Sequence, residues 1–304
     1  MGCPCEVMLY ASSQEAARSA FAIAVGEVRR LDLKYSHYRN DSWLARYQDQ
    51  AGASGGAEAD AETAALFDYA STQFDVSGGA FDVTARPLTA LWDAVTEVPR
   101  YEAIETVLGR VGWHRLSWDG RTMHLPAGMT LDFGGLVKEY AADRVAGLLR
   151  KAGVEHGYVD LGGDFHFIGA HPGGAPWQVG IRDPRRRERA IATVAVRTGG
   201  LASSGDYERH VELEGRRYSH LIDARTGWPI DTDAEDALSA VSVTAPSCLV
   251  AGSAATLAML FQGKRARSFL AGSGLAWLAI TPDGAVAGTL YTAPPCKTVP
   301  SARG

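Results

Sequence analysis

Apolar and polar residues alternate along CEVMLYA (Cys5–Ala11), which predicts a strand almost at the start of the chain. The period then lengthens. Phe21, Ala24, Val28 and Leu31 fall at helical spacing, with Glu27, Arg29 and Arg30 on the opposite side, so a helix is expected to bury that stripe. AGASGGAEADAE (Ala51–Glu62) reads as a flexible loop leading into a second helix over Ala61–Phe74. A third helix is expected around Tyr101–Gly109, followed by HRLSWDGRTMHLP, a hairpin turning at Asp119-Gly120. VKEYAADRVAGLLRKAG predicts an amphipathic helix with Val137, Tyr140, Ala141, Val145 and Leu148 on one face and Gly153 at its end.

From Gly157 onward strands dominate: YVDLGG, WQVGIR, IATVAVRT, a hairpin HVELEGRRYSHLID through Glu214-Gly215, and LSAVSVTA. A small-residue helix, VAGSAATLAML, and a second helix, KRARSFLAG, come next. Two short strands, LAWLAIT and AVAGTLY, close the pattern around Pro282-Asp283-Gly284. Hairpin-linked strands interleaved with helices point to an α+β fold with mostly antiparallel sheets, not a doubly wound parallel sheet. No internal repeat, low-complexity linker or domain boundary is visible in the sequence.

Composition narrows the function class. The 304 residues are 46% hydrophobic and 21% charged, the balance of a globular protein able to bury a sizeable core. A net charge of −5 gives no basic field to attract nucleic acid or an anionic membrane surface. No apolar run approaches the ~18 residues needed for membrane insertion. The one basic run, RDPRRRER (Arg182–Arg189), reads as a solvated loop, with an anion-binding patch as the alternative. Cys3, Cys5, Cys248 and Cys296 form neither a disulfide framework nor a zinc pattern, which fits a reducing, cytoplasmic setting.

Five stretches combine glycine with a carboxylate or histidine at strand ends: SGGAFDVTARPL, LDFGGLVKEYAAD, DLGGDF, LASSGDYER and HLIDARTGWP. The kinase metal triplet and the nucleotide-cyclase signature share letters with two of them, but the accompanying motifs are missing. His220 and Asp223 would point to opposite faces of a strand, which favours a hydrogen-bonding histidine over a metal pair. Glycine-rich turns let backbone N–H groups approach phosphate oxygens, and the helix starting near Val137 adds a favourable dipole. Lys138 in that first turn suits a phosphate better than a cap. The residues alone therefore point to a site for a phosphorylated ligand.

Taken in order, MGCPCEV, YSHYRNDSWLARYQ, GGAFDVTARPLTALW, LDFGGLVKEYAAD, YVDLGGDFHFIG, PWQVGIRDP, LASSGDYER, YSHLIDARTGWP and AGSAAT resemble the ApbE family, the FAD:protein FMN transferases. The resemblance implies a single T-fold-like domain over residues 1–304, the last ~10 of them loose. It also implies a bound FAD, with Mg²⁺ beside its pyrophosphate. FMN would pass to a threonine or serine hydroxyl of an acceptor flavoprotein with release of AMP. Tyr38 matches the aromatic against the isoalloxazine, and Met1 the methionine that approaches it. Ala80, Phe81 and Asp82 match the cofactor-contacting turn. Gly134 and Lys138 match the stretch along the phosphates, while Asp164, Ser204, Gly205 and Asp223 match the nucleotide-facing loops. His220 corresponds to the histidine near the reaction centre, a candidate to orient or deprotonate the acceptor hydroxyl.

Four positions depart from the family pattern, the least of them Ala224 in place of a proline. Its late helix reads A-D-A-x-A-T, where the aspartate and threonine hold the metal together with a backbone carbonyl preceding the lysine. Here Thr256 and Val137 remain, but the aspartate position is Gly252. Glu139 stands where a glycine follows the lysine, and Gln48 replaces an asparagine. A flavin-binding carrier or flavin-dependent enzyme without FMN transfer is therefore an alternative, and a homologue without flavin a third.

Overall fold

The computed structural model describes residues 2–52, 56–207 and 209–290. Met1, Cys296 and the C-terminal tail singled out above lie outside the described residues. The helices are α1 (Gln14–Tyr35), α2 (Trp43–Gln48), α3 (Ala61–Ser77), α4 (Arg86–Ala94), α5 (Tyr101–Leu108), α6 (Val137–Lys151), α7 (Cys248–Phe261) and α8 (Gly263–Gly272). The first eight strands are β1 (Cys5–Leu9), β2 (Ala57–Glu58), β3 (Ser117–Trp118), β4 (Thr122–His124), β5 (Gly157–Leu161), β6 (Asp164–Gly169), β7 (Trp177–Asp183) and β8 (Arg186–Val196). The rest are β9 (Gly199–Gly205), β10 (His210–Leu213), β11 (Arg216–Ser219), β12 (Ile222–Asp223), β13 (Trp228–Pro229), β14 (Ala240–Ala245), β15 (Ala276–Ile280) and β16 (Val286–Gly288). Among the described residues every strand pairing is antiparallel, as the hairpin-linked pattern predicts.

The chain falls into two compact units, each discontinuous in sequence. One comprises Met1–Arg29, Val137–Glu208 and Thr232–Gly304; the other comprises Arg30–Leu136 and Arg209–Asp231. Because each unit is assembled from separated stretches, no break in composition marks the division.

The first unit is built on a sheet of order β1-β5-β6-β9-β14-β15-β16. Side chains alternate along each strand, so β6 sends Phe165 and Phe167 to one face and Asp164 and His166 to the other. The aromatic face packs against the β7–β8 ribbon in a core that includes Phe167, Trp177, Ile181, Val194, Leu201 and Leu278. The opposite face is covered by α6 and α7. α7 starts at the capping residue Ser247, and the Asp143 carboxylate accepts from Cys248 N (2.6 Å) and Leu249 N (3.0 Å). Those N–H groups lack helical partners, and an anion suits the positive end of a helix. His166 Nδ1 lies 2.5 Å from Asp143 Oδ1 and fixes the carboxylate from the sheet side.

The second unit holds α2 to α5, the sheet β2-β4-β3 and the hairpins β10–β11 and β12–β13. α3 begins at Asp60, whose carboxylate accepts from Thr63 N, and ends at Gly78 in the left-handed region (φ 65°). Leu88, Trp92, Ile104, Leu213 and Ile222 form one core cluster here. Gln48 Oε1 accepts from Leu131 N at 2.6 Å, so the glutamine in place of asparagine holds a backbone N–H.

Several expectations change. The buried stripe of α1 runs through Ala20, Ala24, Glu27, Leu31 and Tyr35, while Phe21 is 61% exposed. Glu27 turns inward because Arg144 on α6 pairs with it at 3.2 Å. On α6, Tyr140 and Leu148 are only half-buried, and Glu139, Ala142, Ala146 and Leu149 join the buried face. α2 and α4 were not anticipated, α3 continues to Ser77, and Ala57–Glu58 within the expected loop pairs with β4. The basic run is not a free loop but the tip of the β7–β8 hairpin. Arg185 there makes a two-pronged pair with buried Asp206 (2.8 Å each) and donates to Ser239 Oγ.

Candidate active site

In the first unit Lys138 of α6 and Asp164 of β6 meet on the face of the sheet that α6 and α7 cover. Lys138 reaches Asp164, which is 2% exposed and also accepts from Ser203 N at 3.0 Å. Lys138 Nζ is 3.6 Å from Glu139 Oε1. Burial works against its charge, but Glu139 and Asp164 outweigh that and hold the ammonium above the ordinary lysine range. Lys138 is thus already the counter-ion of two acids. Sequence reasoning assigned it to a phosphate and did not foresee those partners.

Glu139 is the residue the sequence left unplaced. It is 6% exposed, and its Oε2 has no hydrogen-bond partner. Burial pushes its carboxyl up to about 8, against the pull of Lys138. Its carboxylate arm lies over Gly252 of α7: a Cβ at 252 would meet Glu139 Cγ at 2.6 Å and Oε1 at 3.1 Å. Thr256, half-buried, follows Gly252 by one turn on the same face of α7. Helical spacing held a clue, since Glu139 shares a face with Ala142 and Ala146.

Around this cluster the protein carries further negative charge. Asp160 on β5 stands directly opposite Glu6 on β1 and accepts from Gly163 N at 2.7 Å. Burial, with the nearby charges of Glu6 and Asp164, pushes its carboxyl up to about 6. Below the ordinary aspartate range both folded and unfolded chains keep this proton. Between that range and about 6 only the folded chain keeps it, so stability falls as pH rises through the window. Asp160→Asn should remove this fall and stabilise the protein above pH 6 by about 1 kcal/mol, the full shift being discounted for solvent screening. Urea midpoints of both proteins between pH 4 and 7 measure it, and parallel pH profiles would exclude Asp160 as the cause.

Ser204 and Gly205 lie on β9, paired with Val241 and Ala240. A side chain at 205 would run into the Tyr207 ring and meet Ser239 O at 3.0 Å, so only glycine fits. Cys3, Cys5 and Cys248 are free thiols. Burial, then Cys5, pushes Cys3 up to about 11, which keeps it protonated and unreactive.

In the second unit Tyr38 is 67% exposed, with one side of its ring beside His37 (centroids 3.9 Å apart). It is therefore not a core tyrosine. His37 Nδ1 contacts Asp132 Oδ1 at 3.1 Å, and the same oxygen accepts from Gly134 N at 2.7 Å. Burial opposes the charge on Asp132, but His37 and the Gly134 N–H hold it below the usual carboxylate range. Asp82 spends its carboxylate on Thr84 N, Thr84 Oγ1 and Trp113 N, and Ala80 O accepts from Ala224 N. Phe81 N donates to Ser77 Oγ, and its ring edge is 3.1 Å from where a Cβ on Gly135 would sit. Asp223 is held by the Arg225 guanidinium and backbone N–H, so it does not form a metal pair with His220. His220 Nδ1 lies 2.9 Å from Arg209 O; a carbonyl only accepts, so Nδ1 carries the proton and Nε2 is the basic nitrogen. Among the described residues no group of three His, Cys, Asp or Glu side chains could enclose an ion.

Residues 1–279 match the ApbE family profile, and the chain belongs to that family. It is 32% identical over 269 residues to the FAD:protein FMN transferase of Escherichia coli K12, covering 83% of this chain and 74% of that one. The enzyme of the same name from Treponema pallidum is 31% identical over 277 residues, covering 84% and 75%. The ApbE protein of Thermotoga maritima superposes with a TM-score of 0.84 at 26% identity, over 95% of this chain and 94% of that one. The apo flavinyl transferase ApbE of Pseudomonas stutzeri gives 0.80 at 27%, over 95% and 98%.

Proposed function

We propose that this protein transfers FMN from FAD to a threonine or serine hydroxyl of an acceptor flavoprotein and releases AMP. What carries the reading is the continuous relationship to FAD:protein FMN transferases over 83% of the chain, drawing on both compact units. Described helices include none long and apolar enough to cross a membrane. The cysteine pattern favours a cytoplasmic setting for the same reading.

In this reading the exposed Tyr38 ring stacks on the isoalloxazine. The turns at Ala80–Asp82 and Gly134, and the Ser204–Gly205 strand end, line the nucleotide with backbone groups. Asp82, Asp164 and Asp223 act by shaping their loops, because their carboxylates are already engaged within the protein. His220 Nε2 takes the proton of the acceptor hydroxyl as its oxygen attacks the FMN phosphorus. The bond from that phosphorus to the bridging oxygen breaks, and AMP leaves with the electron pair. Lys138 offsets the charge of the acids around it and of the pyrophosphate. A divalent cation, when bound, would neutralise the phosphates further. Val137 O and Thr256 Oγ1 would be among its ligands, both uncharged, so a carboxylate is needed beside them.

The test is AMP release from FAD with Mg²⁺ and a threonine-containing acceptor peptide, followed by mass analysis of the peptide. Transfer predicts AMP together with a peptide heavier by one FMN moiety. FAD bound but left intact would instead make the protein a carrier, and no bound flavin would remove FAD from its function. His220→Ala should slow transfer about 10²- to 10⁴-fold while FAD affinity is kept.

A further inference from the structure

A buried carboxylate oxygen without a partner is costly, and folded proteins retain such groups where a ligand completes them. Glu139 Oε2 is such an oxygen. Lys138 does not account for it, and Asp164, the acid beside it, can partner it only by sharing a proton. The ammonium hydrogen-bonds Asp164, and its 3.6 Å separation from Glu139 is to the other oxygen, Oε1. Glu139 also fills the space that any side chain at position 252 would need, with only 2.6 Å between its Cγ and a Cβ built there. A carboxylate can therefore enter this space from α6 or from α7, but not from both.

The structure assigns Glu139 as a transposed ligand: its carboxylate, carried on α6, supplies the anionic oxygen for a divalent cation that also uses Val137 O and Thr256 Oγ1. Gly252 is then the condition for that ligand and not a defect. The glycine clears the volume, and the glutamate, one methylene longer than aspartate, reaches into it from the neighbouring helix. Magnesium-type ions typically take one or two carboxylates plus substrate phosphates, which suits Glu139 as the acid at Gly252 while Asp164 is engaged by Lys138 and Ser203 N. The inference rests on the reading of FAD as substrate for the phosphate oxygens, but the assignment of Glu139 concerns the protein's own ligand.

Mn²⁺ titrations of the full chain, with and without FAD, followed by electron paramagnetic resonance of the free ion, test it. Wild type should bind Mn²⁺. Glu139→Gln should bind at least about 100-fold more weakly, beyond the effect typical of losing an outer-sphere partner. The double variant Glu139→Gly/Gly252→Asp should return to within about tenfold of wild type, because it moves the carboxylate back to α7. That rescue also shows that the loss in the single variant is not misfolding. Unchanged Mn²⁺ affinity in Glu139→Gln, or no Mn²⁺ binding by wild type, overturns the assignment. Flavin fluorescence quenching without metal separates the two readings. Glu139-dependent Mn²⁺ binding without FAD binding removes the transferase reading and keeps the ligand. FAD binding with Mn²⁺ affinity indifferent to Glu139 does the reverse.

Discussion

Lys138→Met should destabilise the protein by about 3 kcal/mol near pH 8, because it leaves two buried acids without their counter-ion. Asp164 keeps Ser203 N, but Glu139 is left facing the like charge of Asp164, with its Oε2 unpartnered. The variant can relieve the repulsion only by taking up protons. Its folded state then binds protons that the unfolded chain has released, so its stability rises as pH falls. The loss relative to wild type should be largest at pH 8 and small near pH 4, where the unfolded acids are protonated as well. Urea unfolding across that range measures the difference. A loss independent of pH would mean that Lys138 matters for packing and not for charge. FMN transfer should be lost at every pH, since methionine offers the pyrophosphate no positive charge.

Gly200→Ala should cost about 3 kcal/mol or more, although it adds one methyl group. A Cβ at 200 would overlap Cys248 N and Cα and the Ser247 carbonyl carbon. These are backbone atoms at the start of α7, held there by Ser247 and Asp143. β9 cannot retreat either, because β6 and β14 flank it. Gly147→Ala on α6 is the control: nothing lies within 4 Å of the added carbon, and alanine in a helix should gain up to about 1 kcal/mol. Expression yield and urea midpoints of both variants decide the matter. If Gly200→Ala unfolds at the wild-type midpoint, the close approach of strand and helix is not needed.

Periodicity sufficed for the antiparallel α+β class and for most strands, because alternation and turn residues act locally. The hairpin at Glu214-Gly215 is such a case, with both residues at positive φ. Periodicity failed where a partner from elsewhere decided. Arg144 draws Glu27 inward and leaves Phe21 in solvent, and Asp206 turns a basic tip into half of an ion pair. The candidate site divides along the same line. The motif order singled out Lys138, Thr256 and Gly252. It could not tell where Glu139 pointed, since that depends on how α6 packs against α7. His37 was passed over because its partner, Asp132, is almost a hundred residues away in the chain.

The pairing of β1 with β5 also has a consequence during synthesis. Cys5 lies against Leu161 and Leu9 against Gly157, so β1 waits for a partner some 150 residues later. At a translation rate of about 5–20 residues per second, that wait is roughly 8–30 s. Meanwhile a strand edge with unpaired N–H and C=O groups is exposed on the nascent chain. The other unit waits too, because its first stretch needs Arg209–Asp231. Neither unit can therefore close in the order in which it leaves the ribosome, and a holdase that shields β1 should raise the yield of folded protein.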